Sequence, residues 1–498
     1  MSSFRSFFLR SPSDWKFWIF LVLLVKGIIF YIWCIHPTVI PSGGLKGFWG
    51  DFSQDRGYII PIDNLLKYGM YGSPDRLPGY GIIYYVFRLF LSQPVACNVI
   101  ILLQYIALSV SIYCLALLVK YLLQKDFLFY GVFYFSLVFP LVDTYNVFVI
   151  PESFTASFLV FSAYFFVRYF QELKLKHLII SGIFCGYVFL LKPVYLFLLV
   201  FYAAILLFKQ FRQLKLKAIL VNITTFVSFF VVCEGAWIIR NYITEHKFIP
   251  LTKHIWVVEE TRPQYMPMIY FEEAWGGDFW RWGNRVTPYN WLEHQGQVDN
   301  HDSVPAYAYT AKFNRDSLIG VRTLLIALED TTGTLSTDKK QIYRDEVARK
   351  MHTYTESIIH DKPKVYYITA NEKRLKDLML GNFALSSIPD YSATSEIKMH
   401  LMNRIIYFLR LNYAWRIAYF LIIMLSILGM LLLIIKSLND ILVLIIPFIP
   451  LYTILIHVFV MKIALNRYLI PAYPFLIACA IYALYWLYTQ TGKLVKAK

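Results

Sequence analysis

The sequence predicts an all-α polytopic membrane protein of about ten transmembrane helices with one large external loop region. Three observations carry that fold class. Of the 498 residues, 58% are hydrophobic and 16% charged, where a soluble domain carries about 25% charged residues. Several apolar runs reach the roughly 20 residues that cross about 30 Å of hydrocarbon, the clearest being Phe17 to Trp33, Val95 to Leu118, Ala218 to Ile239 and Ile417 to Ile435. Finally, the Lys and Arg behind the formal net charge of +16 are dispersed among these runs. A nucleic-acid-binding protein gathers them on one soluble face, so here they read as topology signals and nucleic acid is excluded as a partner.

The first helix, 16–36, is too long, and too closely followed by other apolar runs, for a cleaved signal peptide, and no small-residue cleavage site follows it. After a charged, turn-rich stretch come helices at 95–119, 127–143, 151–168, 177–192, 194–208 and 218–239. A long polar region follows, and then helices at 416–436, 440–460 and 468–488. The connections KYLLQKD, RYFQELKLKH and KQFRQLKLK, together with 436–440 and the tail KLVKAK, hold most of the short-loop Lys and Arg. Placing them in the cytoplasm puts both termini inside and every alternate connection outside.

Three parts result. Residues 1–240 form a transmembrane module whose first external loop is 37–94, residues 241–415 form an external region, and 416–498 return to the membrane. Within the external region, the first half is dense in Trp, Tyr, Pro and Gly and predicts an irregular aromatic lid. From Thr337 to Met379 helical periodicity and mixed charge predict helices, and Leu401 to Arg416 has the spacing of an interfacial helix. No internal repeat is visible. The six cysteines (Cys34, Cys97, Cys114, Cys185, Cys233, Cys479) lie in or beside apolar segments without paired spacing, which argues against disulfides and a thiolate-bound metal.

The first external loop holds Asp51 and Asp55, then Tyr58, then Arg76-Leu77-Pro78-Gly79-Tyr80, then a short aromatic-rich helix over 82–91. Further on, Pro151-Glu152-Ser153 opens the fourth span, Leu191-Lys192-Pro193 closes the fifth, Trp237 to Tyr242 (WIIRNY) closes the seventh and Asn466 to Pro471 (NRYLIP) opens the last, all at the outer side. This order of pieces resembles the GT-C glycosyltransferases, polytopic enzymes that take sugar from a polyprenyl phosphate. Protein O-mannosyltransferases (glycosyltransferase family 39) and lipid A aminoarabinose transferases belong there. The resemblance covers the spans and first loop, and 255–400 matches nothing in the family.

The resemblance implies a GT-C-like helix bundle with juxtamembrane helices, a polyprenyl-phosphate sugar as donor, and a lipid, glycan or protein as acceptor. It also implies a catalytic acid in the first loop. Asp55, three residues before Tyr58, is the first choice for general base and Asp51 the second, since the spacing to the tyrosine varies in the superfamily. The leaving phosphate needs cations, for which Lys192, Arg240, Arg467 and Arg76 are the candidates. Tyr58, Glu152 and Tyr468 are candidate substrate-binding residues. A single displacement inverts the anomeric configuration.

Each residue also has a plainer explanation. A loop Asp is commonly a turn former, Lys or Arg at a helix end anchors headgroups, and Glu152 suits a helix N-terminus for its charge alone. Tyr58 fits the interfacial aromatic belt, and Trp275, Trp280, Trp282 and Trp291 suit either sugar stacking or lipid contact. His294, Asp299, His301 and Asp302 cluster, but without helical ligand spacing. No metal site is assigned: no cofactor is required, and a divalent metal, which some GT-C enzymes use and others do not, is possible but unsupported.

Two other functions compete. A transporter or flippase of lipid-linked glycans calls for ionisable groups at mid-membrane depth and broken helices, whereas Glu234 lies near the outer end of its span. An O-antigen-type polymerase calls for basic residues in the large loop and leaves the first loop without a task. The short basic loops and unpaired cysteines suit a bacterial inner membrane.

Overall fold

A computed structural model describes residues 10–35, 46–47, 50–51, 56–71, 76–139, 142–211, 214–251, 263–277, 304–328, 335–380 and 413–496. In chain order the helices are α1 (Trp15–Ile35), α2 (Ile60–Tyr68), α3 (Gly79–Arg88), α4 (Gln93–Leu123), α5 (Asp126–Val138), α6 (Asp143–Asn146), α7 (Glu152–Glu172), α8 (Leu175–Leu191), α9 (Leu196–Gln210), α10 (Leu216–Glu245), α11 (Tyr265–Trp275), α12 (Arg315–Leu328), α13 (Thr337–Asp361), α14 (Ala370–Leu380), α15 (Tyr413–Ser437), α16 (Ile445–Leu455) and α17 (Tyr473–Lys496). A two-residue antiparallel pair joins Lys46–Gly47 to Gly50–Asp51. The chain divides into one unit of Met1–Thr252, Asn382–Thr453 and Arg467–Lys498, and a second of Lys253–Gly381 and Ile454–Asn466.

The protein is an all-α, multi-pass membrane protein. Among the described residues seven helical segments are long and apolar enough to cross a bilayer: α4, α7, Pro193–Gln210, α10, Ile417–Ser437, Ile441–Val460 and Arg467–Thr491. The other three expected spans are also helical, as α1 and the shorter apolar α5 and α8. The expected 127–143 helix is cut short. It ends at Val138 and Phe139 turns extended (ψ 117°), because a residue preceding proline, here Pro140, is driven out of the helical region. At 13 residues and 1.5 Å rise, α5 is about 20 Å long, less than a full crossing.

Within the first unit, α7 packs on α8 and α4, α8 on α10, α4 on α1 and α5, and α15 on α17. The chain between α5 and α7 has little regular backbone pairing of its own, so side chains from its neighbours supply the partners. Lys26, near the middle of α1 and only 1% exposed, donates to Asp143 Oδ2 at 2.6 Å and to the Phe139 carbonyl at 3.0 Å. Gln104 of α4 donates to the carbonyls of Asn146 and Phe148, each at 2.9 Å, and Ser153 Oγ donates to Asn146 Oδ1.

Removing one member of a buried ion pair leaves the other charge stranded, at a cost of about 3–5 kcal/mol. Lys26→Met is therefore expected to lower the unfolding temperature of the detergent-solubilised protein sharply. The double variant Lys26→Met/Asp143→Leu should recover most of the loss, and a double variant no better than the single one would show that the pair does not act as a unit.

A second polar clamp joins α2, α3 and the start of α4. Asp63 of α2 accepts hydrogen bonds from Tyr84 Oη (2.9 Å) and Arg88 Nε (3.1 Å) of α3 and from Gln93 Nε2 (2.7 Å) at the start of α4. The short helix expected over 82–91 is α3, and it starts three residues earlier, with Pro78 at its N-cap (φ −77°). Proline at a helix start costs nothing, since its missing N–H has no helical partner there.

In the second unit α11 and α12 pack on α13 around Phe271, Trp275, Phe313, Val347, Met351 and Ile358. The helices expected from Thr337 to Met379 are α13 and α14, joined by a π-helical turn, Val365–Thr369. Trp275 belongs to this core at 3% exposure, so it is a packing residue and is not open to sugar or lipid. The cluster His294, Asp299, His301 and Asp302, the residues Trp280, Trp282 and Trp291, and the stretch Leu401–Asn412 lie outside the described residues.

Candidate active site at the helix ends

Three helix ends of the first unit meet around one buried carboxylate. Glu152 is in the first turn of α7, after Pro151, where an acid complements the helix dipole. It is 3% exposed. Lys192 follows the last residue of α8 in an extended conformation (φ −145°, ψ 101°), the geometry imposed by Pro193. Its ammonium donates to Glu152 Oε1 at 3.0 Å. Arg467, in the 3₁₀ turn Asn466–Ala472 that leads into α17, brings Nε within 3.9 Å of the same oxygen. The Tyr468 ring lies 4.7 Å from the Lys192 ammonium and 5.3 Å from the Arg467 guanidinium, distances at which the ring's negative face attracts cations.

The chain between α1 and α4 contributes the next layer. Arg76 donates to Tyr58 Oη at 3.0 Å and sits 4.5 Å over that ring. Tyr58 lies 5.5 Å from Tyr80, which is 6.1 Å from Phe154 in the turn carrying Glu152. Burial pushes the Lys192 ammonium below the ordinary lysine range. Glu152 opposes that shift, and Arg467 and Arg76 reinforce it, so Arg76 acts electrostatically on the same group.

Glu152 Oε2 and Arg467 Nε are buried and have no hydrogen-bond partner among the described residues. Buried polar groups are nearly always paired, so an acceptor and a donor side by side without partners mark a place for a ligand. Lys192 and Arg467 at a single carboxylate, with Arg76 acting on Lys192, give the described part of the site an excess of positive charge suited to an oxyanion such as phosphate.

The other sequence candidates fall elsewhere. Arg240, at the end of α10, lies 5.2 Å from both the Tyr71 and Trp237 rings and donates to Asn241 Oδ1 at 2.8 Å. The structure therefore places it beside the chain after α2 and does not bring it to Glu152. Asp55 lies outside the described residues, and of Asp51 only the backbone, in the short strand Gly50–Asp51, is described. Glu234 accepts from the Leu251 N–H at 2.9 Å and Trp237 Nε1 donates to the Leu251 carbonyl, which folds the chain back after α10. Among the described residues no three His, Cys, Asp or Glu side chains are grouped to hold a metal.

Sequence reasoning missed two contributors. Gln104 holds the site from behind, accepting from Tyr80 Oη at 2.9 Å; a lone amide in an apolar run was its only signal. Gly79, read as a turn, has a tighter task. A Cβ there would come within 2.5 Å of the Leu190 backbone and 2.8 Å of the Leu191 nitrogen, and the Gly79 carbonyl accepts from Tyr187 Oη at 2.8 Å. The start of α3 thus rests on the backbone next to Lys192. A misplacement of about 1 Å at a reacting centre costs on the order of 10²-fold. Gly79→Ala is accordingly expected to depress turnover by that order while the protein still elutes as a monodisperse peak. Unchanged turnover would mean that the contact does not position Lys192.

Residues 82–237, from α3 into α10, match the family model described as dolichyl-phosphate-mannose-protein mannosyltransferase. The matched stretch contains Glu152 and Lys192. No curated protein and no solved structure matches the chain.

Proposed function

We propose that this chain is a membrane glycosyltransferase of the GT-C type, a reading that the match over 82–237 supports, and that it moves a sugar from a polyprenyl-phosphate donor to an acceptor hydroxyl at the external membrane surface. The observation that carries this reading is the convergence of Lys192 and Arg467, from distant parts of the sequence, on buried Glu152, with Arg76 acting on Lys192 from the chain before α3. In the proposed reaction Asp55, or Asp51 in its place, takes the acceptor proton, and the acceptor oxygen attacks the anomeric carbon. The bond from that carbon to the phosphate oxygen breaks with its electron pair on the phosphate. The three cations meet the added charge where it develops. Attack opposite the leaving group inverts the anomeric centre. The distribution of Lys and Arg puts both termini in the cytoplasm, in keeping with a bacterial inner membrane. Sugar and acceptor identity rest on none of these residues.

The flippase reading gains nothing from Lys26. That residue is an ionisable group within a helix, but Asp143 and a carbonyl already engage it, as in a structural pair.

The test is release of polyprenyl phosphate from labelled polyprenyl-phosphate sugars by the purified protein. Wild type is expected to turn over at least one donor, and Lys192→Met to fall about 10²-fold, the usual effect of deleting one charge-stabilising group. No turnover with any donor, together with movement of lipid-linked glycan across liposomes, would overturn the proposal.

A further inference from the structure

The second unit contains a helix whose exposed side does not suit water. From Lys364 to Leu380, through the turn Val365–Thr369 and α14, the buried positions are Ala370, Arg374, Leu378 and Met379. Arg374 fastens this inner side to α11, donating to the Glu273 carbonyl, and also donates within α14 to Asn371 Oδ1. The outward positions include Tyr367 (61% exposed), Ile368 (55%), Leu375 (42%) and Leu380, with Lys364, Glu372 and Lys376 exposed beside them. On α13 of the same unit the exposed positions are mainly charged or polar, Asp338, Lys339, Gln341, Asp345 and Arg349, with Ile342 the apolar one.

The depth of α14 follows from what it touches. It packs on Ile456–Val460, the last turn of the span Ile441–Val460, and that turn belongs to the same unit. Two residues farther on, Lys462 places its ammonium 3.3 Å from Glu273 Oε2 and donates to Tyr366 Oη at 3.3 Å. If the candidate span ends at Val460, Tyr366 and Lys462 mark the level at which the chain would leave the bilayer, and α14 lies alongside its final turn. The span's own Phe459 and Val460 are exposed there as well. An apolar helix face at that depth, continuous with an exposed span end and edged by lysines, has the character of an element lying in a bilayer interface.

We propose that residues 364–380 dock on the outer surface of the bilayer. Tyr367, Ile368, Leu375 and Leu380 sit at the boundary of headgroups and acyl chains, and Lys364 and Lys376 engage anionic headgroup phosphates. The second unit is then held to the membrane both through its span end and through this helix. The inference is independent of the glycosyltransferase reading, since it uses none of that site's residues.

Spin labels at Ile368→Cys and Leu375→Cys in the full chain test it, with Ile342→Cys on α13 as the water-facing control and the unlabelled-site protein as blank for its own thiols. In nanodiscs of phosphatidylcholine with added phosphatidylglycerol, collision rates are read with oxygen, which concentrates in lipid, and with a water-soluble nickel chelate. The expected result is an oxygen-to-nickel ratio several-fold higher at 368 and 375 than at 342. A ratio equal to that at 342 would overturn the proposal by showing the face in water. Exclusion of both reagents would overturn it by showing the face covered by protein, whether this chain or a second copy. Omitting phosphatidylglycerol is expected to lower the ratio, and the Lys364→Gln/Lys376→Gln variant to remove that lipid dependence; a ratio indifferent to anionic lipid would overturn the headgroup assignment.

Discussion

Glu152→Gln is expected to destabilise the protein by about 3–5 kcal/mol, because it removes the counter-charge of a buried cluster and leaves the cations uncompensated. Lys192 loses its 3.0 Å ionic partner and Arg467 its 3.9 Å one, at a position only a few per cent exposed. An anionic ligand restores the missing charge, and a ligand that binds only the folded state stabilises it by mass action. Unfolding temperatures of wild type and Glu152→Gln, each with and without polyprenyl phosphate, should therefore converge when the lipid phosphate is present. A gap of the same size in both conditions would show that the phosphate does not bind at Lys192 and Arg467, whatever the variant's activity.

Asp55→Asn is expected to reduce polyprenyl phosphate release by about 10²–10⁴-fold, the range for loss of a positioned general base. Asparagine keeps the shape and hydrogen-bonding capacity but cannot accept the acceptor's proton. The fall should thus appear in the turnover step more than in the donor concentration giving half-maximal rate, and the acid limb of the pH–rate profile should vanish. Asp51→Asn serves as the internal comparison. If it alone abolishes turnover, the base is Asp51; unchanged rates in both folded variants would reject this loop as catalytic.

Much of the architecture was legible because hydrophobic length and loop charge are local properties. The ten apolar runs all became helices, and motifs such as LKP and NRYLIP marked where helices break and basic side chains cluster. What sequence could not supply was which broken ends meet. Lys192, Arg467 and Arg240 look alike as cations at helix ends, yet only the first two reach Glu152, while Arg240 pairs with the rings of Tyr71 and Trp237. That choice depends on which helices pack side by side. Gly79 was ambiguous for a related reason: a turn glycine and a glycine under a neighbouring backbone are the same letter. The early end of α5 was readable, since Pro140 announces it, but the apolar residues around that proline masked the signal.

The pairing of Lys26 with Asp143 also bears on how the chain enters the membrane. A lysine near the centre of a helix costs about 2.5–3.5 kcal/mol for insertion, and its partner lies 117 residues downstream. When α1 leaves the ribosome, the carboxylate that neutralises it has not yet been synthesised. The apolar residues of α1 outweigh that cost on the same scale, but the charge itself is neutralised only once the turn bearing Asp143 has folded beside it.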